Sequence, residues 1–175
     1  MGAILKPLLV LVIALVVQVE LFAELRILGV MPELLLGTTI AAAWVAGSER
    51  GAMVGFVAGL LYDLYLPTPF ALTALTYVLV AHLVGLIGGA VADTSERLLR
   101  RMVSIAALAG GLVLFVTLGE LLGQPNLYNG RFLKVVLVGS AYSMVFMPLL
   151  HRAMAWAFRA GDRATNAPLR VSVVE

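Results

Sequence analysis

The chain contains no cysteine, which removes disulfides, thiol nucleophiles, thiolate zinc sites and iron–sulfur clusters together. Charge is scarce as well: Asp, Glu, Lys and Arg make up 13% of the 175 residues, against 62% hydrophobic residues. With a mean hydropathy of +1.03, the chain lies well beyond the apolar content of a soluble domain, and water cannot be its main solvent. The motifs that announce common enzymes are missing too. There is no phosphate-cradling Gly-Lys-Ser or Gly-Lys-Thr loop, no His-Glu-x-x-His and no Gly-x-Ser-x-Gly elbow. No enzyme chemistry, cofactor or metal is therefore proposed from the sequence. The isoelectric point near 9.2 does not point to nucleic acid, because Lys and Arg are spread over the connections rather than gathered into a patch.

What is present is a series of long apolar runs without period-two alternation. A bilayer leaves no backbone group unsatisfied, so spanning segments are helices or a closed barrel, and unalternated runs select helices. At roughly 20 residues per crossing, the length accommodates about six spans with short loops and no soluble domain. The expected class is an all-α integral membrane protein, a six-transmembrane-helix bundle over residues 1–160 followed by a mobile cytoplasmic tail, 161–175. The expected spans are Ile4–Leu25, Pro32–Val45, Gly51–Leu66, Pro69–Ala92, Met102–Leu122 and Phe132–Phe158. The first is expected to be retained rather than cleaved as a signal, since the run is long and no pair of small residues precedes Glu20 or Glu24. Pro32 suits the first turn of a helix, where its missing donor costs nothing. Gly47-Ser48-Glu49-Arg50, Pro67-Thr68-Pro69, Asp93 to Arg101, and Gly123-Gln124-Pro125-Asn126 leading to Asn129-Gly130 read as the connections.

That count sorts the positive charges. Lys6, Arg50, Arg97, Arg100, Arg101, Arg152, Arg159, Arg163 and Arg170 share one side, and Arg26, Arg131 and Lys134 the other. The bias assigns the richer side, with both termini, to the cytoplasm. Glu20, Glu24, Glu33, Glu120 and Asp63 then fall at the outer ends, where they read as solvated rim charges or, alternatively, as a pocket for a cationic solute.

The sharpest local signal is Gly51, Gly55 and Gly59, one every fourth residue, with Asp63 at the next step about 18 Å along the axis. Small residues on one helix face let a neighbouring backbone approach closely. That neighbour is either a helix of the same bundle or a helix of a partner. Asp63 is read as capping the Pro67-Thr68-Pro69 turn or bonding a neighbouring helix, with a ligand or proton role as the alternative. His82, near mid-span, reads as a neutral histidine bonded to a neighbouring helix, and His151 as interfacial. Trp44, Tyr62, Tyr65, Tyr128 and Trp156 fall near span ends as an aromatic belt.

The order of these features resembles the family of the rod shape-determining protein MreD. Gly29-Val30-Met31-Pro32-Glu33-Leu34-Leu35-Leu36 is similar to that family's Pro-acid-Leu stretch. Gly55-Phe56-Val57-Ala58-Gly59-Leu60-Leu61-Tyr62-Asp63-Leu64 is similar to its Gly-x-x-x-Gly-Leu-x-x-Asp-Leu signature. Pro69-Phe70-Ala71-Leu72-Thr73-Ala74-Leu75 follows in place, with Ala71 where the family commonly has Gly. The motifs cover about residues 29–89. The resemblance implies a non-enzymatic inner-membrane component of the cell-elongation machinery. Its partners would be MreC and, through it, MreB, RodA and the elongation-specific class B penicillin-binding protein. Gly51, Gly55, Gly59, Asp63, Pro67 and Pro69 would be its packing or partner-binding residues. It also implies a fold similar to the substrate-binding subunits of energy-coupling-factor transporters, and a solute-binding subunit of that type is the alternative function.

Overall fold

The computed structural model describes residues 2–26, 28–67, 69–91, 97–124 and 130–165. Among them the secondary structure is helical and includes no β-strand. Helix α1, Gly2–Val16, passes through a π-helical turn at Val17–Leu21 into the short α2, Phe22–Glu24. Then come α3, Leu34–Asp63; α4, Leu72–Ala90; α5, Arg97–Leu121; and α6, Phe132–Thr165.

Four helical stretches are long and apolar enough to cross a membrane: Ile4–Leu21, Leu72–Ala90, Arg97–Leu121 and Phe132–Arg159. The expected second and third spans are not among them, because they are the two arms of α3. Gly47, at φ 85° and ψ −178°, interrupts α3 with a conformation that is essentially confined to glycine. The chain reverses there. Ala43 and Gly51 would lie about 12 Å apart along one straight helix, yet a Cβ on Gly51 would sit 2.6 Å from the Ala43 Cα. The arms, 34–46 and 48–63, rise only about 20 and 24 Å, short of the roughly 30 Å of a hydrocarbon core. The architecture is thus four full-length helices packed against a short two-armed hairpin, in place of the six equivalent spans expected.

The hairpin is the centre of the packing, since α3 contacts α1, α4, α5 and α6. Its first arm is buried from Leu34 to Ala43, as befits a helix that is apolar around its whole circumference. Thr38 and Thr39 are tolerated there because their hydroxyls donate to the Leu34 and Leu35 carbonyls at 2.7 and 2.9 Å. Leu11, Leu108 and Met154 close over this arm from three other helices. The outer surface is apolar as well: Ile4, Ile13, Leu83, Leu133 and Val145 are all exposed. An aqueous protein would hide such side chains, whereas acyl chains solvate them.

Several boundaries move. Pro32 precedes the N-cap, Glu33, instead of occupying the first turn of α3. Ser48, Glu49 and Arg50 already belong to the second arm, and Arg97, Arg100 and Arg101 lie on α5 rather than in a loop. The backbone of Gly161–Thr165 continues α6, where the tail was expected to begin. The rest of that tail, Thr68, Asp93, Pro125, Asn126, Tyr128 and Asn129 lie outside the described residues.

The glycine stripe holds the hairpin and α4 together. A Cβ on Gly55 would lie 2.8 Å from the Tyr77 carbonyl oxygen and 2.9 Å from the Thr39 side chain. One on Gly59 would fall on the Ala74 backbone, a position already filled. Gly85 closes the other end of the same helix pair against Ser48. Replacing Gly59 with Leu is therefore expected to stop the protein accumulating as a monodisperse species in fluorescence-detected size-exclusion chromatography. Gly89→Leu, at an exposed position where a Cβ meets nothing within 4 Å, should elute as the wild type does.

Candidate functional site

Asp63 ends the second arm and is 5% exposed. Its two oxygens accept hydrogen bonds from the backbone N–H groups of Thr73 at 3.0 Å and Ala74 at 3.2 Å. These are the second and third residues of α4, the donors that a helix's own capping side chain normally serves. Ala71, the N-cap of α4, offers no such side chain. The remaining donors of the first turn are also met, Leu72 N–H by the Pro69 carbonyl and Leu75 N–H by the Ala71 carbonyl. The N–H groups of Leu72, Thr73 and Ala74 at this helix start thus all have partners, and the carboxylate lies where the helix dipole favours negative charge. The structural price falls on Ala71, held in the left-handed region at φ 71°, where its Cβ crowds the following carbonyl.

The start of α3 is capped in the same borrowed fashion. Gln18 lies in the π-helical turn, whose extra residue rotates it inward to 1% exposure. Its Oε1 accepts the Leu35 N–H at 2.9 Å. The Glu33 N–H donates to Ser143 Oγ at 2.7 Å, and that hydroxyl donates to the Gly139 carbonyl at 2.7 Å. The Glu33 side chain is thereby free of capping duty. Its Oε2 accepts two long hydrogen bonds of 3.4 Å, from Gln18 Nε2 and from the Tyr77 hydroxyl. A cavity of about 70 Å³ opens beside it, lined by Glu33, Tyr62, Thr73, Tyr77, Gly111 and Phe115 among others.

Glu33 was expected as a solvated rim charge, but it is one wall of this cavity. Glu20 and Glu24 are exposed as anticipated. Asp63 is committed to α4 through both oxygens, which leaves the alternative reading, a cationic pocket, without that ligand. Gly51, Gly55 and Gly59 face the chain's own backbone and Thr39, while Pro67 is exposed. His82 is exposed on the bundle surface rather than bonded to a neighbouring helix. Trp44 does more than lie in a belt. Its indole N–H donates to Ser104 Oγ at 3.1 Å, and the Arg100 guanidinium lies 5.3 Å from its ring centroid. Lys6 Nζ sits 5.0 Å over the Trp156 ring. These contacts, with Gly85 against Ser48, gather Lys6, the Gly47 turn, Arg100 and Trp156 at one end. Helix direction carries Glu20, Glu24, Glu33, Asp63 and Glu120 to the other.

Sequence reasoning missed Gln18, Thr73, Tyr77 and Ser143. A glutamine inside an otherwise apolar run was the one available signal, since a polar amide placed among hydrocarbon needs a partner.

Among the described residues no group of three or more His, Asp or Glu side chains is arranged to hold a metal ion. The chain matches no protein-family model, and no curated protein and no solved structure is similar to it. The fold and the site define an all-helical chain whose four long apolar helices are consistent with a multi-pass membrane protein.

Two substitutions separate the contributions at the start of α4. Ala71→Gly relieves the left-handed strain and should raise stability by about 1 kcal/mol. Asp63→Ala strands two buried donors and should lower it by about 2 kcal/mol or more. Both are read from unfolding midpoints in a fixed detergent. A lower midpoint for Ala71→Gly would contradict the strain argument.

Proposed function

We propose that this chain is a non-enzymatic scaffold of the MreD type in a bacterial inner membrane. In this reading it binds MreC and, through it, helps position MreB, RodA and the elongation-specific class B penicillin-binding protein for lateral wall synthesis. The observation that carries the reading is the work done by the residues of the resemblance. Gly55 and Gly59 seat the hairpin against the backbone of α4, and Asp63 caps the helix that the Pro69-Phe70-Ala71 segment introduces. The stretch 55–75 is thus a single device that fixes two helices against each other. A device of this kind suits a rigid platform for other membrane helices.

The platform's free surface lies elsewhere than the stripe. On α5, Leu98, Met102, Ile105 and Val113 are exposed, and a partner helix can pack there by shape without displacing any internal contact. In this reading all six helical segments, including both arms of α3, cross or enter the membrane. The end that carries Lys6, Arg100 and Trp156 then faces the cytoplasm, in keeping with the excess of Lys and Arg on that side.

The scaffold reading is tested by co-purification. Detergent extraction of the tagged chain from its native membrane at matched expression should recover MreC in near-stoichiometric amount, and depletion of the chain should round rod-shaped cells. Recovery without MreC, from cells that keep their shape, would overturn it.

A further inference from the structure

We propose that the cavity beside Glu33 is a binding site for a small protonated amine, whose ammonium group is held by the Glu33 carboxylate. The inference is independent of the scaffold reading, because it concerns the interior of the bundle and no partner protein.

The carboxylate is under-served. It sits within a helical bundle, where an ionised acid needs close donors or a counter-charge, yet Oε2 has only the two contacts of 3.4 Å from Gln18 and Tyr77. Bonds to a carboxylate are normally near 2.7–2.9 Å. Glu33 also keeps partial accessibility among buried neighbours, as a side chain that lines a cavity does. A second polar group on the same wall lacks a partner altogether: Thr73 is 1% exposed, and its hydroxyl makes no hydrogen bond. A carboxylate with long contacts and an unserved hydroxyl on a residue of the same wall suit a ligand that donates more than one hydrogen bond, as an ammonium does.

The rest of the lining selects an organic cation over a bare metal ion. Tyr62, Tyr77 and Phe115 supply aromatic rings, whose faces attract ammonium groups, and Leu36 and Leu112 supply apolar surface for an alkyl stem. Among the described residues no further acid or histidine joins Glu33 in the wall of the cavity, so the charge to be matched there is a single positive one. Gly111 lets α5 close on the Leu36 side chain at the cavity wall, where a Cβ would lie 2.8 Å from Leu36 Cδ2. A volume of about 70 Å³ corresponds to roughly five water-sized spheres. That fits a primary amine of about four or five heavy atoms.

The test uses the purified full chain in detergent at pH 8, titrated with n-propylammonium and followed by ligand-observed NMR. n-Propanol serves as the uncharged control of the same size. A ligand this small is limited by its number of atoms, so saturable binding at millimolar concentration is the expected result, with n-propanol at least tenfold weaker. Glu33→Gln, which keeps the shape and removes the charge, should weaken the amine at least tenfold. Thr73→Val should weaken it about threefold. It removes a hydroxyl that has no partner, so it should fold at least as well as the wild type and it carries the test if Glu33→Gln does not fold. No saturable binding to the wild type, equal binding of n-propanol, or an affinity unchanged in the folded variants would overturn the proposal.

Discussion

A helix that starts inside a bundle leaves its first backbone N–H groups without partners, and in a low-dielectric surrounding each unserved donor is costly. This chain meets that constraint with side chains lent by other helices. Gln18 of the π-helical turn serves Leu35 at the start of α3, and Asp63 at the end of α3 serves Thr73 and Ala74 at the start of α4. Each loan ties two elements at a fixed height. The succession runs from the first helix to the hairpin and from the hairpin to α4, so the register of half the molecule follows from the positions of two polar side chains.

Close approach does the remaining work. A bilayer removes the hydrophobic drive between helices, so the packing rests on backbone contact and dispersion. The glycines of the second arm let α4 and the first arm come so near that a methyl group would overlap them. The outer helices need no such economy. They cover the hairpin with large side chains such as Leu11, Leu108 and Met154 and leave comparable ones facing outward. Because α3 is short and buried, its polar start is enclosed by longer neighbours, and that is why a cavity with a carboxylate in its wall exists at this height.

Much of this was legible in the sequence at the level of class and position. Unalternated apolar runs predict helices, and the helical segments fall close to the expected places. The spacing of Gly51, Gly55, Gly59 and Asp63 marks one packing face. The lengths of the second and third segments already stood out as small, but length alone does not say that they form one hairpin. Ala71 was visible as an alanine in a place where the resembled family has glycine, and its left-handed backbone gives that difference a physical meaning. Glu33 was misread because its neighbours in sequence suggested a loop at the rim. Its surroundings are made by Gln18, Tyr77 and Ser143, which are distant in the chain.

By itself the sequence determined the solvent, the helical class, the absence of thiol chemistry and the separation of basic from acidic ends, since each of these depends on composition or local periodicity. Only the tertiary structure decided which backbone fills the glycine stripe, which helix Asp63 caps, and that Glu33 lines a cavity. Those outcomes depend on groups brought within a few ångströms from different helices, and spacing along one chain carries no measure of the distance between two.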